Sequence, residues 1–218
     1  RPFDLTAQAP ARAWPEPVRL QAVLDRIAAA KRPVLIGGHG VWWSGGEALL
    51  EEAGRSLDIP IFNIPYHQKL LGEECEAYMG LADAHQYHPS ADAFNDSDLI
   101  LMIGARLDNQ MNFGNAPLFP ATTTLCCING SHEEIDFNRA ADVTLLSDPG
   151  AFLQALIDAG KSGSIAPDRS WYDLNRQRRD AWVAKMIADV EAEAATPEFG
   201  GRIHPMQLAL DVQRAMSD

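Results

Sequence analysis

The sequence predicts an α/β fold class: a doubly wound, mainly parallel sheet of about five or six strands with helices on both faces, followed by a helical C-terminal extension. Three observations predict it. Short apolar runs alternate with stretches of helical period along most of the chain. The runs are apolar at consecutive positions rather than every second one, as strands covered by helices on both faces must be. Proline and glycine mark the joints, most clearly at Asp58-Ile59-Pro60, because proline disfavours helix in the residue before it and cannot donate to a central ladder.

The elements follow in order. Arg1 to Pro17 carries four prolines and no hydrophobic period, and reads as a linker entering from an upstream domain. Val18 to Lys31 places Leu20, Val23, Leu24, Ile27 and Ala28 at helical spacing. Strand candidates are Pro33 to Gly37, Pro60 to Ile64, Leu99 to Gly104, Thr124 to Asn129 and Val143 to Leu146. Helical candidates between and after them are Gly46 to Leu57, Pro89 to Asn95, His132 to Asn138 and Pro149 to Ala159. Residues 18–160 thus form one Rossmann-like domain. Residues 161–218 change character: a Ser/Gly connector, a long charged helical stretch from Asp168 to Glu193, and a short amphipathic segment opened by His204-Pro205. That last segment, with Trp171 and Trp182, is expected to leave apolar surface for a neighbouring domain or subunit.

Composition narrows the function. Of 218 residues 46% are hydrophobic and 22% charged, enough apolar mass for a sizeable core. Thirty acidic against 18 basic residues give a formal charge of −12, so the field repels phosphate backbones and anionic lipid, and neither nucleic acid nor membrane is an expected partner. No apolar run approaches the roughly 20 residues of a membrane span, and no signal-peptide core follows Arg1, so a cytoplasmic protein is expected. Cys75, Cys126 and Cys127 offer no disulfide framework and no zinc spacing.

Three strand ends carry candidate chemistry. Gly38, His39, Gly40 and Val41 follow the first strand, where glycines let the backbone approach a phosphate ahead of a helix N-terminus. A tight turn explains the same glycines equally well. Arg106, after the Leu99 strand, can meet a diphosphate or carboxylate bidentately, or simply pair with a nearby surface acid. Asn129, after the Thr124 strand, stands where dinucleotide sites often place an acid for the ribose hydroxyls. His85 and His88 lack a third metal ligand at standard spacing, and Asn95 to Asp98 lacks the glycine and distal glutamate of a calcium loop. No nucleophile elbow is present, so hydrolase chemistry has no support. No catalytic or metal-binding residue is assigned.

Taken in order, Lys31 to Gly38, Leu57 to Ile61, Met79-Gly80-Leu81, Ser97 to Leu107 and Ile128-Asn129 make the chain resemble the central domain of thiamine-diphosphate-dependent enzymes of the acetolactate synthase, benzaldehyde lyase and 2-hydroxyacyl-CoA lyase group. The match covers about Leu20 to Ala159, and His204-Pro205 looks like the opening of the family's C-terminal domain. The resemblance implies a parent that forms or cleaves a carbon–carbon bond next to a carbonyl, the cofactor supplying the electron sink. It also implies that thiamine diphosphate and Mg²⁺ are held elsewhere, between an N-terminal domain with a glutamate and a C-terminal domain with a Gly-Asp-Gly to Asn motif. Neither motif occurs in this sequence, so this segment alone is expected neither to bind that cofactor nor to be active.

In the resembled group the central domain binds ADP, binds FAD or binds nothing, and subunits form dimers or tetramers. Gln110 stands where acetolactate synthases carry arginine, and Asn129 where aspartate is common, which disfavours FAD and leaves ADP as the nucleotide expected. The stretch Arg106 to Gly114 followed by Pro117 is closer to the acyl-CoA lyase and decarboxylase branch. The partners implied are the other domains of the parent and further copies of it. The alternative is a freestanding nucleotide-binding module, an oxidoreductase domain or regulatory subunit. Against a nicotinamide site, the first glycine loop lacks the third glycine and no acid ends the second strand at Asn63-Ile64.

Overall fold

The computed structural model describes residues 11–65, 70–72, 74–163, 165, 168–195 and 203–217. Its elements run α1 (Pro17–Ala29), β1 (Pro33–Gly37), α2 (His39–Trp43), α3 (Glu47–Ser56), β2 (Ile61–Asn63), β3 (Tyr78–Leu81), α4 (His88–Asp96), β4 (Leu99–Ile103), β5 (Thr124–Asn129), β6 (Val143–Leu146), α5 (Pro149–Lys161), α6 (Arg169–Ala194) and α7 (Pro205–Ser217). Two 3₁₀ turns, Asn109–Gly114 and His132–Glu134, follow β4 and β5. The six strands form one sheet in the order β3-β2-β1-β4-β5-β6, and every pairing is parallel. All five residues of β1 and of β4 are buried, which is why both read as unbroken apolar runs.

Local chemistry sets the helix boundaries. The Glu16 carboxylate accepts from the Val18 and Arg19 N–H groups ahead of α1, which holds its carboxyl below the usual carboxylate range, and Pro17 occupies the first turn. Asp148 caps α5 in the same way through Ala151 N–H, with Pro149 next. From α5, Phe152, Leu153, Leu156 and Ile157 enter the core, while α3 contributes Leu50 and Ala53. The Asp98 carboxylate accepts from the Lys31 and Arg32 N–H groups, so Asn95 to Asp98 is a staple between two strand entrances rather than an ion loop.

Several expectations need correction. The strand β3 is absent from the sequence reading. It is a four-residue edge strand, only partly buried, with Gly80 inside it at φ +115° and the Tyr87 ring filling the space a side chain would take. The helix expected over His132 to Asn138 is a single 3₁₀ turn. Beyond it Asp136 and Asn138 take left-handed φ values of 58° and 67°. There Asp136 accepts from Ala141 N–H and Asn138 donates to Leu107 O, bonds that compete with helix. The 3₁₀ turn Asn109–Gly114, capped by Asp108, was also unforeseen.

The stretch before α1 has no regular structure over residues 11–16, yet it is tied down. The Arg12 guanidinium donates to Ser44 O, and Ala13 O accepts from Asp148 N–H and Ser147 Oγ. The first ten residues of the expected linker lie outside the described residues.

The chain forms two compact units that divide between Asn175 and Arg176, inside α6. The opening turns of α6 belong with the sheet: Trp171, Tyr172 and Asn175 are buried, and the Trp171 indole N–H donates to Pro33 O at the head of β1. Trp171 therefore does not leave apolar surface for a neighbour, because it is buried on its own unit and the start of the central strand β1 supplies its acceptor. In the second unit Leu210 of α7 is buried and Arg214 pairs with Glu191, while Leu208, Val212 and Met216, spaced four apart, are exposed. No helix among the described residues is long and apolar enough to cross a membrane.

Candidate functional site

In the strand order the chain winds outward from β1 through β2 to β3, then returns to β4 and winds the other way through β5 to β6. The carboxyl ends of β1 and β4 are neighbours whose following loops diverge, and ligands of open α/β sheets sit in the crevice this creates. A cleft of about 460 Å³ occupies it. His39, Gly40 and Trp43 line it from the loop after β1, Ile64 and Pro65 from β2, Gly104, Ala105, Arg106 and Asp108 from β4, and Asn129, Ser131 and Glu134 from β5.

The glycines of the first loop serve the sheet. A Cβ on Gly38 would lie 2.2 Å from Gly104 O and 2.5 Å from Ala105 Cα. One on Gly40 would lie 2.7 Å from Gly104 Cα, and Gly104 itself needs φ +59°. Their amides are bonded within the protein: Gly38 N–H to Ile103 O, Gly40 N–H to Gly104 O, and Val41 N–H to Gly38 O. Of the residues singled out from sequence, His39, Gly40, Arg106 and Asn129 come together in the cleft. Gly38 is buried behind them and Val41 is fully buried in the core.

The polar groups are partly committed. The Arg106 guanidinium lies 3.4 Å from a Glu134 carboxylate oxygen and 5.3 Å from the centre of the Phe137 ring. Both members of the ion pair are well exposed, so the pair contributes about 0–1 kcal/mol and an incoming anion can displace it. Asn129 is buried with its Oδ1 accepting from Ser131 N–H, an Asx turn that fixes the loop after β5. Asp108 accepts from Gln110 N–H. Trp43, Asp108, Ser131 and Glu134 were not singled out from sequence. Asp108 lies two residues beyond Arg106, and its place just after a strand was the available signal.

These groups do not fit thiamine diphosphate with its Mg²⁺. Asp108 is turned to its own 3₁₀ turn and Glu134 to Arg106, and no group of three or more His, Cys, Asp or Glu among the described residues could hold a metal ion. The exposed His85 has its Nε2 3.0 Å from Asn109 O, a contact between the loop after β3 and the turn after β4. The three thiols are free and buried. Burial pushes Cys126 up to about 12 and Cys127 up to about 11. At pH 8 each is then almost wholly thiol, with a thiolate fraction of roughly one in a thousand or less. Iodoacetamide at that pH is expected to leave Cys126 and Cys127 unmodified in the folded chain and to label both in urea, as peptide mass mapping would register.

The fold is that of an open α/β domain with a cleft at the carboxyl ends of its central strands. The thiamine pyrophosphate enzyme central domain family matches residues 20–156, and the chain belongs to that family. It is 24% identical over 208 residues to an acetolactate synthase large subunit of Parasynechococcus marenigrum, covering 94% of this chain and 32% of that protein. It is 28% identical over 127 residues to 2-hydroxyacyl-CoA lyase 1 of Dictyostelium discoideum, covering 58% and 20%. To oxalyl-CoA decarboxylase of Escherichia coli it is 24% identical over 160 residues, covering 73% and 27%. Benzoylformate decarboxylase from Polynucleobacter necessarius shares the fold, with a TM-score of 0.60 at 19% identity over 77% of this chain and 30% of that one. The chain thus spans between a fifth and a third of the length of these curated relatives. A freestanding oxidoreductase module or regulatory subunit is not favoured by these matches.

Proposed function

We propose that this chain is the central domain of a thiamine-diphosphate-dependent enzyme that makes or breaks a carbon–carbon bond next to a carbonyl, and that its cleft takes ADP. Family membership over residues 20–156 carries the first half. Relatives named as synthase, lyase and decarboxylase all fit that chemistry. The organisation that follows is a linker over residues 1–17, the central domain over 18–160, and, over 161–218, a helical connector whose turns up to Asn175 pack on that domain and which leads into a C-terminal domain. Mg²⁺ and the cofactor then belong to the other domains, the assembly is a homo-oligomer, and three free buried thiols suit the cytoplasm.

The nucleotide half rests on the cleft at the β1/β4 divergence, with Arg106 and Asn129 at neighbouring strand ends. Arg106 exchanges its weak pairing with Glu134 for the ADP diphosphate, and the buried Asn129 amide faces the ribose. ADP is expected to raise the melting temperature of the chain at millimolar concentration. Arg106→Ala should weaken ADP binding by about 1.5–3 kcal/mol, the size of a hydrogen bond to a charged group. Calorimetric titration of both proteins measures it, and equal affinity would remove Arg106 from the site.

A further inference from the structure

We infer that Trp43 is the stacking platform for the base of the nucleotide in this cleft, an assignment that rests on the nucleotide reading above. Trp43 lines the cleft and is 78% exposed, although tryptophan is among the costliest side chains to leave in water. Its exposure does not come from a loose mount. It ends α2, and the next residue is held on three sides: Ser44 Oγ donates to Val41 O and accepts from Gly150 N–H, while Ser44 O accepts from Arg12. The Trp42 ring meets the Trp43 indole edge-on, with centroids 4.7 Å apart and planes at 76°. An indole on a fixed backbone, facing solvent beside a cleft with one edge against Trp42, offers a flat partner a ready face, since no backbone ordering remains to be paid on stacking.

The rest of the cleft supplies what a nucleoside diphosphate needs beyond its ring. Ile64 and Pro65 add apolar surface, Arg106 meets the phosphates, and the Glu134 carboxylate that Arg106 then leaves can accept from a ribose hydroxyl or an exocyclic amine. Stacking alone does not choose among bases, because every base has a π face. The platform therefore gives the cleft little preference between ADP and GDP.

The test titrates the full chain and its Trp43→Ala and Trp43→Phe variants with ADP, GDP and inorganic pyrophosphate, following calorimetric heat and tryptophan fluorescence. Expected are an ADP affinity about tenfold lower in Trp43→Ala, recovery to within about threefold in Trp43→Phe, and pyrophosphate affinity unchanged in all three. ADP should quench fluorescence of the unsubstituted chain and not of Trp43→Phe. Unchanged ADP affinity in Trp43→Ala overturns the platform and leaves the nucleotide cleft standing. An equal loss for pyrophosphate and ADP also overturns it, since the indole would then be supporting the loop. If ADP does not bind the unsubstituted chain, the nucleotide reading falls and the platform with it.

Discussion

Trp171→Ala is expected to lower the stability of the α/β unit by about 3–5 kcal/mol, the usual cost of emptying a buried aromatic site. The side chain is 4% exposed, and its indole N–H donates to Pro33 O over 2.9 Å. Removal therefore opens a cavity and takes a hydrogen bond from the first residue of β1, a strand at the centre of the sheet. The helix that carries Trp171 is tied down nearby, where Arg169 pairs with Asp58 and Glu76 and its guanidinium lies 4.5 Å from the Tyr172 ring centre. Those exposed pairs are too weak to compensate. Trp171→Phe keeps one aromatic ring but loses the pyrrole half of the indole with its hydrogen bond, so it should cost about 1 kcal/mol for the bond with some additional loss of packing. Urea unfolding followed by circular dichroism ranks the three proteins. Equal midpoints would mean that the first turns of α6 are no part of this core.

What was legible in the sequence follows from burial. The strands β1, β4 and β5 stand where their apolar runs do, because strands covered on both faces bury almost every residue and the run itself marks the strand, and β6, though an edge strand, keeps Val143 and Leu145 buried within its short apolar run. The edge strand β3 gave no such signal, since Tyr78 and Gly80 are only partly buried and Leu81 is exposed. The segment after β5 misled in the opposite sense: His132-Glu133-Glu134 has helix-forming composition, but Asp136 and Asn138 turn the chain left-handed. Trp171 looked like a residue waiting for another domain, because its acceptor on β1 lies 138 positions away in sequence. The strand ends were readable, and with them the place of Arg106 and Asn129 beside the cleft. Trp43 was not, because a five-residue helix follows glycines that read as one continuous loop.

Gly38→Ala is the second large effect, and it separates the sheet's demand for glycine from a ligand's. The added methyl would sit 2.2 Å from Gly104 O and 2.6 Å from Ala105 Cβ, with Ala105 Cα between at 2.5 Å. Two of these three are backbone atoms, so no rotamer change can relieve the clash. At φ −121° the residue is in ordinary extended backbone, and the cost is entirely steric. The loop after β1 must move away from β4, straining the Gly38 N–H to Ile103 O and Gly40 N–H to Gly104 O bonds. A loss of about 3 kcal/mol is expected, the upper part of the range for overpacking. Gly45→Ala is the control: that residue has φ +60° with nothing within 4 Å of its would-be Cβ, so only the left-handed backbone is penalised, by about 1–2 kcal/mol. Thermal unfolding should therefore place Gly38→Ala well below Gly45→Ala. Because the segment after β1 carries His39, Gly40 and Trp43 to the cleft, Gly38→Ala should also weaken whatever the cleft binds, while Gly45→Ala leaves that affinity unchanged. If the two variants melt together, the close approach of β1 and β4 is softer than these distances require, and the glycines of the first loop would be better explained by a ligand than by the sheet.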